Sequence, residues 1–95
     1  MTMPRYAART DSNQAEIVDA LKKIGADVYV LGRPVDLLVG YRKRNFLIEV
    51  KTETAKPRKD QQEQRDWIKD WKGQVRVVTN AEEAIRLVTM AYEIH

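Results

Sequence analysis

The chain contains no cysteine and a single histidine, His95, which is the last residue. These absences exclude thiolate catalysis, disulfide scaffolds, cysteine zinc sites and histidine-based catalytic triads. The apolar runs are far shorter than the roughly 18–20 residues needed to cross a bilayer, and the N-terminus lacks the apolar segment of a signal peptide. We therefore expect a soluble, intracellular protein without a membrane partner, whose chemistry comes from carboxylates, lysines, hydroxyls or amides.

Length and composition indicate one globular domain. With 95 residues, of which 43% are hydrophobic and 33% charged, the chain is neither disordered nor fibrous by composition. A chain of this length can form one modest core and no second lobe. We predict a single domain over residues 1–95, in which residues 1–9 show no periodicity and form a loose N-terminal arm.

Hydrophobic patterns and turn residues predict the order helix, three strands, helix, strand, helix. The helices are predicted from an N-cap among residues 10–12 to Gly25, over residues 59–72, and from a cap at Thr79 or Asn80 onward. The strands are predicted over residues 28–31, 35–40, 45–51 and 75–78. The fourth strand follows a helix and can pair in parallel, whereas the first three are joined too tightly for crossovers. We expect an α/β fold with a central mixed four-stranded sheet flanked by helices.

Three charged side chains of the second and third strands fall on one face of a predicted hairpin. If residues 42–45 form the loop, Asp36 faces Lys51 and Glu49 faces Leu38. Asp36, Glu49 and Lys51 then project together, while the opposite face is wholly apolar. A slip of one residue would mix the two faces, so the pattern favours this register.

These three residues are the minimum set for metal-assisted phosphodiester hydrolysis. Two carboxylates in a half-buried site repel each other unless a cation lies between them or one takes up a proton. Mg²⁺ binds a few carboxylate oxygens and keeps several waters for a phosphate ligand, and a lysine on the same side could orient a water or stabilise charge on phosphorus. The simpler alternative is a cross-strand ion pair between Asp36 and Lys51 with Glu49 in solvent, which contributes under about 1 kcal/mol.

Basic side chains are concentrated in the middle of the chain. Residues 40–59 contain seven basic residues against two acids, although the net charge of the whole chain is only +3. Such a stretch could attract a polyanion, because neutralising phosphates releases counterions. The alternative is a solvated loop that its charges keep soluble.

The segment Pro34-Val35-Asp36, followed by Glu49-Val50-Lys51, resembles the motif of the PD-(D/E)XK nuclease superfamily. Within it, the chain is most similar to the small stand-alone virus-type replication-repair nuclease (VRR-NUC) domains of phages. The likeness covers nearly the whole chain, including residues 11–18, 35–40, 47–51, 64–75 and 81–84. It implies a restriction-endonuclease-like core of order αβββαβ(α). Val35 is a departure, because the family commonly has a proline directly before the first acid.

The resemblance also implies roles for individual residues. Asp36, Glu49 and the backbone carbonyl of Val50 would bind Mg²⁺ or Mn²⁺, and Lys51 would be the catalytic lysine. The predicted catalytic residues are Asp36, Glu49, Lys51, Gln64 and Glu16.

The helical candidates have rival interpretations. Gln64 matches a family glutamine that faces the site, and Gln61, one turn earlier, is its rival. Glu16 matches an acid of the first helix in the superfamily, or it is a first-turn acid favoured by the helix dipole. Trp67 and Trp71 are interpreted as core or subunit-contact residues rather than base-stacking ones.

The resemblance implies a DNA endonuclease. The sequence shows no recognition helix with base-reading residues, so we expect selectivity for branched or flapped DNA, and a domain this small covers little DNA, so we expect a homodimer. We expect the protein in the cytoplasm, or in the host cytoplasm if it is phage-encoded. Candidate DNA-binding residues flanking the site from the turn and the following loop are Arg42, Lys43, Arg44, Lys56, Arg58 and Lys59. Two alternatives remain: a non-catalytic nucleic-acid-binding module on the same fold, and a structural or partner-binding α/β protein.

Overall fold

A computed structural model of the chain describes the backbone of residues 5–51 and 62–90 and the side chains of residues 13–51 and 62–90. Within these residues, seven helices and strands follow one another in the predicted order. They are α1 (Arg5–Lys23), β1 (Asp27–Val30), β2 (Leu37–Tyr41), β3 (Arg44–Val50), α2 (Gln62–Asp70), β4 (Arg76–Val78) and α3 (Ala81–Met90).

The four strands form one mixed sheet in the order β1-β2-β3-β4. β1 pairs antiparallel with β2, and β2 pairs antiparallel with β3. β4 arrives after α2 and pairs in parallel with β3, as a strand preceded by a helical crossover can. The prediction of an α/β fold with a mixed four-stranded sheet and three helices is confirmed.

The core lies between one face of the sheet and the helices α1 and α3. The strand residues of this face alternate with those of the other face, as the pleat requires. Buried residues that pack together here are Ile17, Leu21, Leu37, Val39, Phe46, Ile48, Val78, Ala84 and Val88. The strand members of this set belong to the apolar face predicted for the hairpin and to the predicted fourth strand.

Two helix ends follow the sequence predictions. Gly25 has a φ of 96°, and the N–H of Ala26 donates to the carbonyl of Leu21 at 3.0 Å, as in a Schellman motif. At the start of α3, Oδ1 of Asn80 accepts a hydrogen bond from the N–H of Glu83 at 2.8 Å, which identifies Asn80 as the N-cap.

α1 begins earlier than predicted. Its first residue is Arg5, so residues 5–9 are helical backbone rather than part of a loose arm. The sequence from Arg5 to Lys23 contains neither glycine nor proline, and the alanines near its start have the highest helix propensity. The predicted caps at residues 10–12 are therefore interior positions of the helix, while residues 1–4 lie outside the described residues.

The β2–β3 turn is shorter than predicted. Arg42 and Lys43 alone form it, and Leu38 pairs with Leu47 rather than with Glu49. Both turn residues have positive φ, 54° and 69°, which is the type I′ geometry that matches the twist of a hairpin. Type I′ turns are usually recognised in a sequence by an Asn-Gly or Asp-Gly pair, and the Arg-Lys pair found here does not indicate one. The register shifts by two residues, so the two faces of the hairpin keep their predicted members.

α2 is the least embedded helix. It was predicted over residues 59–72, of which 59–61 lie outside the described residues, and none of its residues is buried. Its last regular residue is Asp70, although the N–H of Trp71 still donates to the carbonyl of Trp67 at 3.0 Å. None of the helices in the described ranges is long and apolar enough to span a membrane.

Candidate metal centre

Asp36 and Glu49 meet at the open end of the β2–β3 hairpin. Leu37 pairs with Ile48, and this register continued by one residue places Asp36 opposite Glu49 rather than opposite Lys51 as predicted. Residues opposed in this way have Cβ atoms about 5 Å apart. The carboxyls of Asp36 and Glu49 lie close enough together that each alters the pKa of the other. The two-residue turn therefore brings the two acids closer together than the predicted register did.

Asp36 is tied to the backbone of β3. Its Oδ2 accepts a hydrogen bond from the N–H of Val50 at 2.8 Å. Val50 lies beyond the last β2–β3 pair, Leu37 and Ile48, so the side chain of Asp36 takes the place of a backbone acceptor from β2. Burial raises the pKa of the Asp36 carboxyl, and the hydrogen bonds with Val50 and Glu49 partly offset that rise. The N–H and C=O of one strand residue point to the same side, so the Val50 carbonyl is also directed toward the side of Asp36.

Glu49 is buried, with only 6% of its surface exposed. Burial raises its pKa to about 8, helped by the charge of Asp36 and the hydrogen bond with it, and opposed by the charge of Lys51. At neutral pH the pair of acids holds a proton, or needs a cation in its place. The alternative in which Glu49 lies in solvent is therefore wrong. Within the described residues, Lys51 forms no ion pair with Asp36.

Lys51 follows the last residue of β3 and is held by its backbone. Its N–H donates to the carbonyl of Val78 at 2.9 Å, and its carbonyl accepts a hydrogen bond from Nδ2 of Asn13 at 3.2 Å. Asn13 was missed by the sequence reasoning. The available signal was its spacing, since Asn13 precedes the buried Ile17 and Leu21 by four and eight residues and is a polar member of an apolar stripe.

Gln64 brings α2 to the acid pair. Its Nε2 donates to Oε1 of Glu49 and to the carbonyl of Pro34, both at 3.1 Å. The structure thus places together four of the five predicted catalytic residues, namely Asp36, Glu49, Lys51 and Gln64. The rival Gln61 lies outside the described residues.

Glu16, the fifth predicted catalytic residue, does not lie at the acid pair. It lines a groove between α1 and the start of α3, together with Asp19, Ala20, Lys23, Asn80, Ala81 and Glu82. In the described part of the chain, no hydrogen bond or ion pair joins Glu16 to Asp36 or Glu49. The interpretation as a first-turn acid is also wrong, because α1 begins at Arg5 and has no acid in its first turn.

The basic residues of the turn lie far from the acid pair. Arg42 and Lys43 are exposed at the closed end of the hairpin, and the Arg42 guanidinium lies 5.2 Å from the centre of the Tyr41 ring. Asp36 stands at the open end, and the five residues of β2 lie between it and Arg42, which is a distance of about 20 Å along the strand. The expectation that Arg42, Lys43 and Arg44 flank the site is therefore wrong. Lys56, Arg58 and Lys59 lie outside the described residues.

Trp67, on α2, and Trp71, one residue beyond the end of α2, form a stacked pair. Their ring centroids are 4.6 Å apart, with 20° between the ring planes. Trp71 is 44% exposed and Trp67 is only half-buried, so neither is a core residue, and the interpretation of both as subunit-contact residues stays a prediction. Gln64 and Trp67 are spaced at i and i+3 and therefore share one face of α2, while Trp71 lies just beyond its last residue, Asp70.

The donors at the acid pair suit a hard cation that keeps most of its waters. Among the described residues there is no group of three or more histidine, cysteine, aspartate or glutamate side chains that could hold a metal ion. Two carboxylates and one backbone carbonyl remain. This set fits Mg²⁺ or Mn²⁺, which are bound by one or two carboxylates together with water and phosphate, better than a fully enclosed metal.

Comparisons of the chain with protein-family models, with curated proteins and with solved structures find no match. Membership of a nuclease family is therefore a proposal based on the motif and the site.

Proposed function

We propose that this chain is a Mg²⁺- or Mn²⁺-dependent DNA endonuclease of the PD-(D/E)XK type, similar to VRR-NUC domains, that hydrolyses phosphodiester bonds. The observation that carries the proposal is the burial of Glu49 on the strand face that Asp36 also occupies, with Asp36 held by the N–H of Val50 and Glu49 held by the amide of Gln64. Both acids have raised pKa values, and acids perturbed in this way are concentrated at functional sites. The order of the elements and the mixed sheet are compatible with the core of such nucleases.

The acid pair and Lys51 would have separate roles. Asp36, Glu49 and the Val50 carbonyl would hold the metal, which supplies Lewis acidity and a more acidic water when bound. The ammonium of Lys51 would stabilise the negative charge that develops on the phosphate oxygens. In the reaction a water oxygen bonds to phosphorus, the bond from phosphorus to the leaving oxygen breaks, and that oxygen takes up a proton.

Gln64 would position Glu49 rather than react. Its amide donates to Oε1 of Glu49 and is itself fixed by the carbonyl of Pro34. Such a donor orients a ligand carboxylate and favours its charged form.

The proposed partner is DNA, and the proposed assembly is a homodimer with two active sites, because so small a domain covers little DNA. The proposal includes selectivity for branched or flapped structures rather than for base sequence, and action in the cytoplasm.

Metal binding is the first test. We expect Mn²⁺ to bind the wild-type protein with measurable heat in calorimetry, and Glu49→Gln to weaken that binding at least tenfold, because one carboxylate ligand is lost. Glu82→Gln is the matched control, since its side chain is 80% exposed on α3 and its loss should leave Mn²⁺ affinity unchanged. Absence of heat with wild-type protein would contradict the metal site.

Cleavage is the second test. We expect purified protein to cut supercoiled and flapped DNA with Mg²⁺ and to stop when EDTA is added. Asp36→Asn and Lys51→Ala should each lower the rate by about 100-fold or more, the usual cost of removing an electrostatic catalytic group. Undiminished cutting by either variant would remove the mechanism. DNA binding without cutting in any divalent metal would identify the non-catalytic module instead.

A further inference from the structure

The carbonyl of Lys51 is held by a side chain of α1. Nδ2 of Asn13 donates to this carbonyl at 3.2 Å, in a partly buried contact between residues that lie 38 positions apart in the sequence. Its partner is the backbone of the residue whose ammonium would stabilise charge on the phosphate. The contact therefore ties α1 to the candidate site without adding a metal ligand.

Asn13 occupies a place where the sheet no longer supplies a donor. β3 and β4 pair in parallel, and the N–H of Lys51 donates to the carbonyl of Val78, the last residue of β4. The carbonyl of Lys51 points to the same side of the strand and would accept the next bond from β4. The chain leaves the sheet there, because Asn80 is already the N-cap of α3. The amide of Asn13 takes the place of a backbone donor from β4.

The backbone of Lys51 is thereby fixed on both sides of its Cα. Its N–H is bound by Val78 and its carbonyl by Asn13, so the direction of its Cα–Cβ bond is restrained. Lys51 shares the strand face of Glu49, and its charge lowers the pKa of that carboxyl, which places the ammonium near the acid pair. The lysine side chain is a flexible four-carbon stem, so a fixed Cα–Cβ direction limits the region that the ammonium samples.

We propose that Asn13 is a positioning residue, whose hydrogen bond to the carbonyl of Lys51 directs the Lys51 ammonium toward the phosphate at the acid pair. The inference rests on the proposed nuclease function and adds a residue of α1 to its site. A displacement of a catalytic group by about 1 Å can cost on the order of 100-fold in rate. A single hydrogen bond behind the ammonium can therefore have a measurable effect on cleavage.

Cleavage kinetics test whether Asn13 acts through Lys51. We expect Asn13→Ala to lower kcat about tenfold or more, with KM for DNA and the affinity for Mn²⁺ unchanged, because no ligand and no DNA contact is removed. The double variant Asn13→Ala/Lys51→Ala should be no slower than Lys51→Ala, since the hydrogen bond has no effect once the ammonium is absent. Asn13→Asp keeps the shape and loses the donor, so it should be as slow as Asn13→Ala.

Gln14→Ala is the matched control, because it removes a neighbouring amide side chain of the same helix that makes no hydrogen bond to Lys51 in the described part of the chain. It should cut DNA as the wild-type protein does. Asn13→Ala should fold, since alanine has a higher helix propensity than asparagine. Thermal unfolding followed by circular dichroism measures the stability of each variant, and Asn13→Asp tests the inference even if Asn13→Ala does not fold.

Amide hydrogen exchange followed by NMR tests the restraint without cleavage. In EDTA, Asn13→Ala should raise the exchange rate of the Lys51 amide by about tenfold or more, because release of its carbonyl loosens the end of β3. The amide of Phe46, which lies within the β2–β3 pairing, should keep its rate.

The outcomes separate the positioning role from the nuclease. Unchanged exchange at Lys51, an unchanged kcat of Asn13→Ala, or a double variant that is slower than Lys51→Ala by the full factor of Asn13→Ala would each overturn the positioning role. A raised KM with an unchanged kcat would overturn it as well, because Asn13 would then contact DNA. Absence of cutting by wild-type protein in any divalent metal would overturn the nuclease, while faster exchange at Lys51 in Asn13→Ala would still support the restraint.

Discussion

The ionisation of Glu49 couples the candidate site to folding. Burial raises the pKa of this carboxyl from 4.5 to about 8. Between these two pH values the folded state keeps a proton that the unfolded state has released. The unfolding free energy that this group contributes is therefore fully present below about pH 4.5 and is lost as the pH rises through 8. The raised pKa of Asp36 acts in the same direction.

We expect the metal-free wild-type protein to lose on the order of 1–2 kcal/mol of unfolding free energy between pH 5 and pH 8, after allowance for solvent screening. Glu49→Gln should remove most of this loss, because glutamine keeps the shape and cannot ionise. Urea denaturation in EDTA at a series of pH values measures the effect.

Added Mn²⁺ supplies the control, because it competes with the proton for the same oxygens and should raise the melting temperature more at pH 8 than at pH 5. A metal-free protein that is more stable at pH 8 than at pH 5 would contradict this account.

The length of the β2–β3 turn could not be predicted from the alternation of apolar and polar residues. Alternation of apolar and polar residues predicted β2, β3 and their two faces. Whether the turn has two or four residues depends on two positive φ angles, which Arg42 and Lys43 adopt against their own steric preference. The start of α1 could not be predicted either, because threonine, aspartate and serine, which are common N-caps, also occur inside helices.

Replacing Lys43 by glycine should stabilise the protein by about 0.5–1 kcal/mol, because glycine adopts a φ of 69° without steric cost. Chemical denaturation compares the midpoints. Lys43→Ala is the matched control, since it removes the same charge but keeps a Cβ at positive φ and should bring no gain. If both variants shift stability equally, the effect comes from charge and not from the backbone.

At the scale of the whole molecule, one face of the sheet forms the core and the other bears the candidate site. One face packs against α1 and α3 and forms the core, while the other bears the acid pair and several exposed apolar side chains, among them Tyr29, Leu38 and Val77. Neighbouring residues of one strand thus have opposite roles. The predicted element order and core face are confirmed, because a long apolar pattern leaves few alternatives.

Adjacent positions of β2 test this division. Leu37 is 0% exposed and Leu38 is 37% exposed. Leu37→Ala should cost about 2–5 kcal/mol of unfolding free energy, because it leaves a cavity in the core, whereas Leu38→Ala should cost less than about 1 kcal/mol. The two denaturation curves are compared with that of wild-type protein. Equal costs would show that the faces are assigned wrongly.

The site was predictable only in part. The shared face of Asp36, Glu49 and Lys51 follows from a period of two, and a change of register by two residues leaves it intact. The contact of Asp36 with Val50, and of Asn13 with the carbonyl of Lys51, joins residues far apart in the sequence through the tertiary fold. No local pattern contains such contacts.

The hydrogen bond from Val50 engages one oxygen of Asp36, and that from Gln64 engages one oxygen of Glu49. Each acid therefore offers a cation mainly its other oxygen, and water would fill most of the inner coordination shell. An ion with so few protein ligands exchanges readily with the bulk solution. The rate of the proposed cleavage would then follow the free Mg²⁺ concentration, and chelation would stop it reversibly without unfolding the chain.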